Sequence, residues 1–358
     1  MSLRALLEGL EIPILQAPMA GASDDALAIA VSRAGGLGGL AAATLAPDEI
    51  GAAVARVRAA VDAPFAVNLL IAREPQADSA AAVETALARL QPWYAELGAT
   101  PPAHPNRFAH DFDAQLAALI AAAPPIASFA FDVLSREQVA ALQRAGSYVL
   151  GTANTVAEAR AWAEVGADGI CAQGAEAGGH RGNFLADVED SLVGTFALVP
   201  AIRAAVDLPV VAAGGIMDGR GVAAALALGA AGAQMGTAFL LADEAVTSAP
   251  WRVAVAAAPD DPTRLTRAFT GRWARGLENR FTREMRGLER EVPAYPVQNR
   301  LTQPLRAAAV QAGDPEMLSL WAGQGVRLAA SGPAEALVRR WWDEARAVAR
   351  DLGERTGA

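Results

Sequence analysis

Short apolar or β-branched runs alternate with amphipathic stretches through the first two-thirds of the chain. The runs predict strands at 13–16, 37–41, 65–70, 126–131, 148–151, 169–172, 209–213 and 233–235. Between them, apolar positions at helical spacing predict helices, among them 23–34, 48–60, 80–97, 113–122, 192–205 and 218–228. Ser23 is the expected cap of the first of these, and Asp218 of the last. Ser135–Gln138 and Thr155–Glu158 have the spacing of capping boxes.

Eight strand-then-helix units at short spacing predict a closed parallel barrel, the (β/α)8 TIM barrel; an open doubly wound sheet is the alternative. After about residue 242 the texture changes. Arginines and aromatic residues appear with helical spacing and no alternating strands, so 243–315 is expected to be a smaller, mostly helical second domain over the barrel mouth. The barrel then comprises 1–242 and is completed by 316–358, whose last helix, about 333–351, seals the wall.

Composition narrows the function. The chain of 358 residues is 53% hydrophobic with a net charge of −9, which argues against a nucleic-acid or anionic-membrane partner. Residues 221–242 carry no charge, but Gly229, Gly232, Gly236 and Gln234 divide them into helix, turn and strand, as a barrel interior requires. All fixed cations are arginines, so lysine chemistry is excluded. The one cysteine, Cys171, sits in an apolar strand and reads as a small buried hydrophobe; no metal site is expected. The first residues stop short of a signal-peptide core, so a cytoplasmic monomer or homodimer acting on a small molecule is expected.

The chemistry gathers at the strands' C-terminal ends, where such a barrel places its active site. Met19, Asn68, Gln173, Gly178, Gly179, His180, Gly215, Gly236 and Thr237 fall there. The chain has three histidines; His104 and His110 lie in or beside a proline-rich loop and read as surface residues. His180, among glycines, is therefore the candidate for proton transfer. Glycine turns after the seventh and eighth strands offer backbone N–H groups where barrels bind phosphate. Asn68 and Gln173 can each donate and accept to a ring edge across the mouth. A flavin mononucleotide fits that span. Of the remaining residues, Glu176 reads as a loop anchor, Arg181 as a partner of an acid such as Asp187, and Trp321 as a core aromatic, with packing beside the cofactor as its alternative.

Gln16–Gly21, Glu176–Gly182, Ala213–Ile216, Gln234–Thr237 and Trp321–Gly325 together resemble the nitronate monooxygenase family, over nearly the whole chain. The resemblance implies that FMN is contacted by Asn68, Gln173, Gly178, Gly215, Gln234, Met235, Gly236 and Thr237, with Met19 beside the ring and His180 near the substrate carbon. It also implies oxidation of alkyl nitronates, such as propionate 3-nitronate, with O2. The chain departs from the family pattern in carrying Ala130 where a second histidine is common, and in having no lysine near the pocket. An NAD(P)H:quinone or enoyl-thioester reductase on the same barrel is the nearest rival, and a flavin-free phosphometabolite barrel a remote one.

Overall fold

A computed structural model describes residues 2–72, 80–102 and 108–357, so the expectation for His104 lies outside the described residues. The strands are β1 (Ile14–Gln16), β2 (Gly38–Ala41), β3 (Phe65–Leu70), β4 (Ile126–Ala130), β5 (Tyr148–Ala153), β6 (Gly169–Gln173), β7 (Gly179–His180), β8 (Val210–Ala213), β9 (Gly232–Met235), β10 (Thr263–Thr266) and β11 (Ala274–Leu277). Eight of them form one parallel sheet in the order β1-β9-β8-β6-β5-β4-β3-β2. A parallel bridge from Leu15 to Leu37 joins its two edges. The sheet is thus a nearly closed TIM barrel.

Alternation along each strand sorts side chains between two cores. Val67, Phe129, Ile170, Val210 and Met235 point outward to the helices. Ala66, Ile126, Leu150, Cys171 and Val211 fill the barrel's lower interior, which the helix Leu3–Glu8 plugs with Leu3, Leu6 and Leu7. One step further along the inward series come polar residues, and these open the mouth: Asn68, Ser128, Thr152, Gln173 and Gln234. Cys171 is buried and its thiol is pushed up to about 12 by desolvation, consistent with an inert packing role.

A third apolar cluster lies over the mouth. It joins Trp251, Phe269, Phe281, Leu301 and Leu305 to Val83, Leu90, Trp93 and Tyr94 of the helix Ala80–Leu97. That helix leaves the barrel between β3 and β4, so it buries its apolar face against the later segment. Residues 243–315 contain two strands as well as helices. β10 and β11 pair antiparallel, and β11 pairs in turn with β7 from the barrel loop. The segments Thr-Arg-Leu-Thr and Ala-Arg-Gly-Leu carry no clear apolar alternation, so their extended form comes from non-local pairing.

Two caps differ from expectation. Asp24, not Ser23, caps the helix Asp25–Arg33 by accepting from the Ala26 N–H. Ser23 Oγ instead accepts from the Met19 N–H at 2.9 Å and donates to the Met19 carbonyl, pinning that loop. Thr155 does cap its helix, but Glu158 does not close the box. Its buried carboxylate accepts from the Asn154, Phe184 and Leu185 N–H groups and so holds the loop after His180. The stretch 221–242 is divided as its glycines predict, into the helix Gly219–Ala227 and β9. No helix among the described residues is long and apolar enough to cross a membrane.

Candidate active site

The loop after β6 is fixed from several directions before it can present a side chain. Glu176 accepts from the Thr195 N–H at 3.0 Å and from its hydroxyl at 2.9 Å, anchoring the loop to the start of the helix Thr195–Ala205. Arg181 is fully buried and donates to the carbonyls of Gly174 and Gln173, so its partner is the loop backbone and not Asp187. Burial, with Arg275 nearby, holds its guanidinium down to about 10. Gln173 Oε1 accepts from Asn154 and from the Gly182 N–H, while Nε2 donates to the His180 carbonyl. Most of Gln173's hydrogen-bonding capacity is thus spent on the loop.

The C-terminal segment completes the wall. Gln324 N–H donates to Glu176 O, and Gly323 N–H donates to Thr237 Oγ1, each at 2.9 Å. A Cβ on Gly323 would lie 2.7 Å from Glu176 O, so only glycine permits this approach. Trp321 is a wall of the cavity, with its ring 5.5 Å from that of His180. The same ring packs against the apolar cluster over the mouth, edge-on to Phe269, so it serves both the core and the cavity wall.

One cavity at the mouth is lined by Met19, Asn68, Gln173, Gly178, Gly179, His180, Gly215, Gln234, Gly236 and Thr237. Met235 does not line it. As the neighbour of inward-facing Gln234 on one strand, its side chain points out between sheet and helices. At one end of the cavity, the N–H groups of Gly215, Gly236 and Thr237 donate to no acceptor among the described residues. Gly214 and Gly215 have φ of 111° and 74°, a conformation glycine supplies without penalty. Convergent free N–H groups at the ends of adjacent strands make an anion cradle. Away from that cradle, Asn68 donates its amide to Ser128, leaving its carbonyl oxygen without a donor among the described residues. No cluster of metal-ligating side chains occurs among the described residues.

His180 occupies the facing wall. Antiparallel pairing with Ala274 fixes its backbone, and Phe131, Tyr295 and Trp321 surround its ring at 5.5–5.9 Å. Its Nε2 lies 3.0 Å from Thr270 Oγ1. Phe131 is held at φ 88°, an uncommon conformation for a non-glycine residue and one concentrated at functional sites. The Arg272 guanidinium covers the Phe131 ring at 4.0 Å. Arg306 lies behind, hydrogen-bonded to Asn299. Neither arginine forms an ion pair with a carboxylate among the described residues. Burial holds both down to about 10, so both remain charged at neutral pH. Burial and these two cations depress His180 to about 3, so its imidazole is neutral. Arg272, Arg306, Thr270 and Tyr295, which stand around His180 without lining the cavity, were not visible in the sequence; they come from the later segment, whose arginines resemble ordinary surface charges.

Comparison with known proteins agrees with this arrangement. The chain is 44% identical over 346 residues to the nitronate monooxygenase of Pseudomonas aeruginosa, covering 95% of this chain and 98% of that one. It is 39% identical over 330 residues to a probable nitronate monooxygenase of Staphylococcus aureus, covering 92% and 93%. Among solved structures, the nitroalkane oxidase from Streptomyces ansochromogenes superposes with a TM-score of 0.90 at 44% identity, over 97% of this chain and 99% of that one. FabK from Thermotoga maritima superposes with a TM-score of 0.76 at 29% identity, over 99% of both chains. The family model for nitronate monooxygenase matches residues 3–343, and this chain therefore belongs to that family of flavin-dependent oxidoreductases.

Proposed function

We propose that the cavity binds FMN and that the protein oxidises alkyl nitronates, for example propionate 3-nitronate, with O2. The residues present suit the cofactor. The free N–H groups of Gly215, Gly236 and Thr237 suit its phosphate, and the open Asn68 carbonyl oxygen suits a ring N–H. Gln173, Gln234 and Met19 would flank the ring, with Gly178 and Gly179 leaving room beside it. Met235 would support this wall from behind. When bound, the flavin supplies the electron acceptance that oxidation requires.

The observation that carries the substrate assignment is the pair of buried arginines, Arg272 and Arg306, beside a neutral His180. Buried cations are costly. Glu158 and Asp132 lie close enough to Arg272 to favour its charge, whereas among the described residues only Tyr295 and Tyr94 do so for Arg306. An anionic ligand would offset the cost that remains. Arg272 and Arg306 therefore take the charge-balancing part that a lysine could not play here. His180, being neutral, offers a nitrogen lone pair close to the substrate carbon, where it can accept a proton from a nitroalkane. Phe131, Tyr295 and Trp321 exclude water from the same wall. The lobe formed by 243–315 contributes Arg272, Tyr295 and Arg306, while Phe131 comes from the barrel and Trp321 from the C-terminal segment.

A visible spectrum of the purified protein tests the cofactor. Turnover of propionate 3-nitronate with O2, set beside NADH with a quinone and NADH with an enoyl thioester, tests the reaction. Rapid NADH oxidation without nitronate turnover would replace this reading by the reductase one. Colourless protein that rebinds no flavin would remove both.

A further inference from the structure

Thr270 holds the key to which nitrogen of His180 carries the proton. Its hydroxyl oxygen lies 3.0 Å from His180 Nε2 and 3.1 Å from the Arg272 carbonyl oxygen, and the Arg272 N–H approaches it at 3.4 Å. A threonine hydroxyl has one proton to give and two lone pairs to receive. His180 Nε2 and the Arg272 carbonyl therefore compete for one proton.

Two arrangements are open. If the hydroxyl donates to Nε2, the Arg272 carbonyl is left without a donor, because Thr270 is its sole donor among the described residues. If the hydroxyl donates to the Arg272 carbonyl, it accepts from an Nε2–H, and all three groups are satisfied. The second arrangement makes one more hydrogen bond. It leaves Nδ1 unprotonated. Nδ1 has no hydrogen-bond partner among the described residues, and His180 is part of the cavity lining.

We infer that Thr270 is a positioning residue that holds His180 as the Nε2–H tautomer and presents the Nδ1 lone pair to the substrate. This rests on the assignment of His180 to the substrate side. With a neutral nitroalkane, the α C–H bond breaks, its electron pair stays on the substrate as the nitronate, and an N–H bond forms at Nδ1. The imidazolium so formed keeps its Nε2–H on Thr270. The hydroxyl thus fixes both the direction and the atom of the transfer.

The test is nitrogen NMR of the flavin-loaded protein with labelled histidine, where His180→Asn assigns the His180 signal among the three histidines. The wild type is expected to show a protonated Nε2 and an unprotonated Nδ1. Thr270→Val is expected to mix the tautomers and lower kcat/KM for a neutral nitroalkane by about 10-fold or more. Thr270→Ser, which keeps the hydroxyl, should restore both the spectrum and the rate. A wild-type signal with the proton on Nδ1, or an unchanged tautomer in Thr270→Val, overturns the inference. Full nitroalkane turnover by His180→Asn would instead remove the substrate-side assignment of His180 and leave the tautomer result readable on its own.

Discussion

Gly178 and Gly323 meet backbone to backbone, and a Cβ built on Gly178 would overlap the amide nitrogen of Gly323. Through this contact the barrel loop carrying His180 and the segment carrying Trp321 form one wall. Gly178→Ala should force the two apart. The expected result is lower flavin content in the purified protein and a loss of about 1–3 kcal/mol in urea denaturation. Gly51→Ala, on an exposed helix with open space around it, serves as the control and should retain full flavin content.

Arg306→Met should weaken substrate binding. With one of the two buried cations removed, KM for an alkyl nitronate is expected to rise about 10-fold, worth about 1.4 kcal/mol of anion attraction. The exposed Arg327, paired with Asp260, gives the comparison: Arg327→Met should leave KM unchanged. Equal KM values in both variants would refute the anion role of Arg306.

His180 also predicts a pH dependence of stability. Its pKa is depressed from 6.5 to about 3 in the folded protein, first by burial and then by Arg272 and Arg306. Below about pH 6.5 the unfolded chain binds a proton that the folded protein refuses until about pH 3. Stability from this residue is therefore full above pH 6.5 and is lost as the pH falls toward 3. The slope is at most about 1.4 kcal/mol per pH unit, and less because the ring opens onto a cavity. Denaturation of wild type and His180→Gln from about pH 7 to about pH 4.5 checks it, with a shallower slope expected in the variant.

Met235→Ala should separate packing from cofactor contact. The side chain is fully enclosed between sheet and helices, so its truncation is expected to cost about 2–5 kcal/mol. The dissociation constant for flavin, measured by fluorescence titration, should remain near the wild-type value. Gln234→Ala, on the inward face, should show the reverse pattern.

Glu158→Leu should loosen the loop after His180. The buried carboxylate accepts three backbone N–H bonds, and bonds to a charged acceptor contribute about 1.5–3 kcal/mol each. Faster amide exchange at Phe184 and Leu185 is the expected sign, and unchanged exchange would count against it.

The barrel was legible in the sequence because its signals are local. Alternation at period two marks a strand, and glycine marks the turn that follows, so the units could be counted and Asn68, Gln173 and His180 placed at the mouth. The same period could have excluded Met235, since neighbours on one strand cannot both face inward. The charge-bearing half of the site was not legible. Arg272, Thr270, Tyr295 and Arg306 come from a segment whose two strands become extended only by pairing with each other and with Gly179–His180. A buried arginine and an exposed one look alike in a sequence; only the folded chain decides which groups stand beside it. The amino-acid order therefore determined the barrel and the loop that carries the imidazole, because both follow from nearest-neighbour chemistry. Tertiary structure alone decided the protonation state of that imidazole, because burial and distant cations set it.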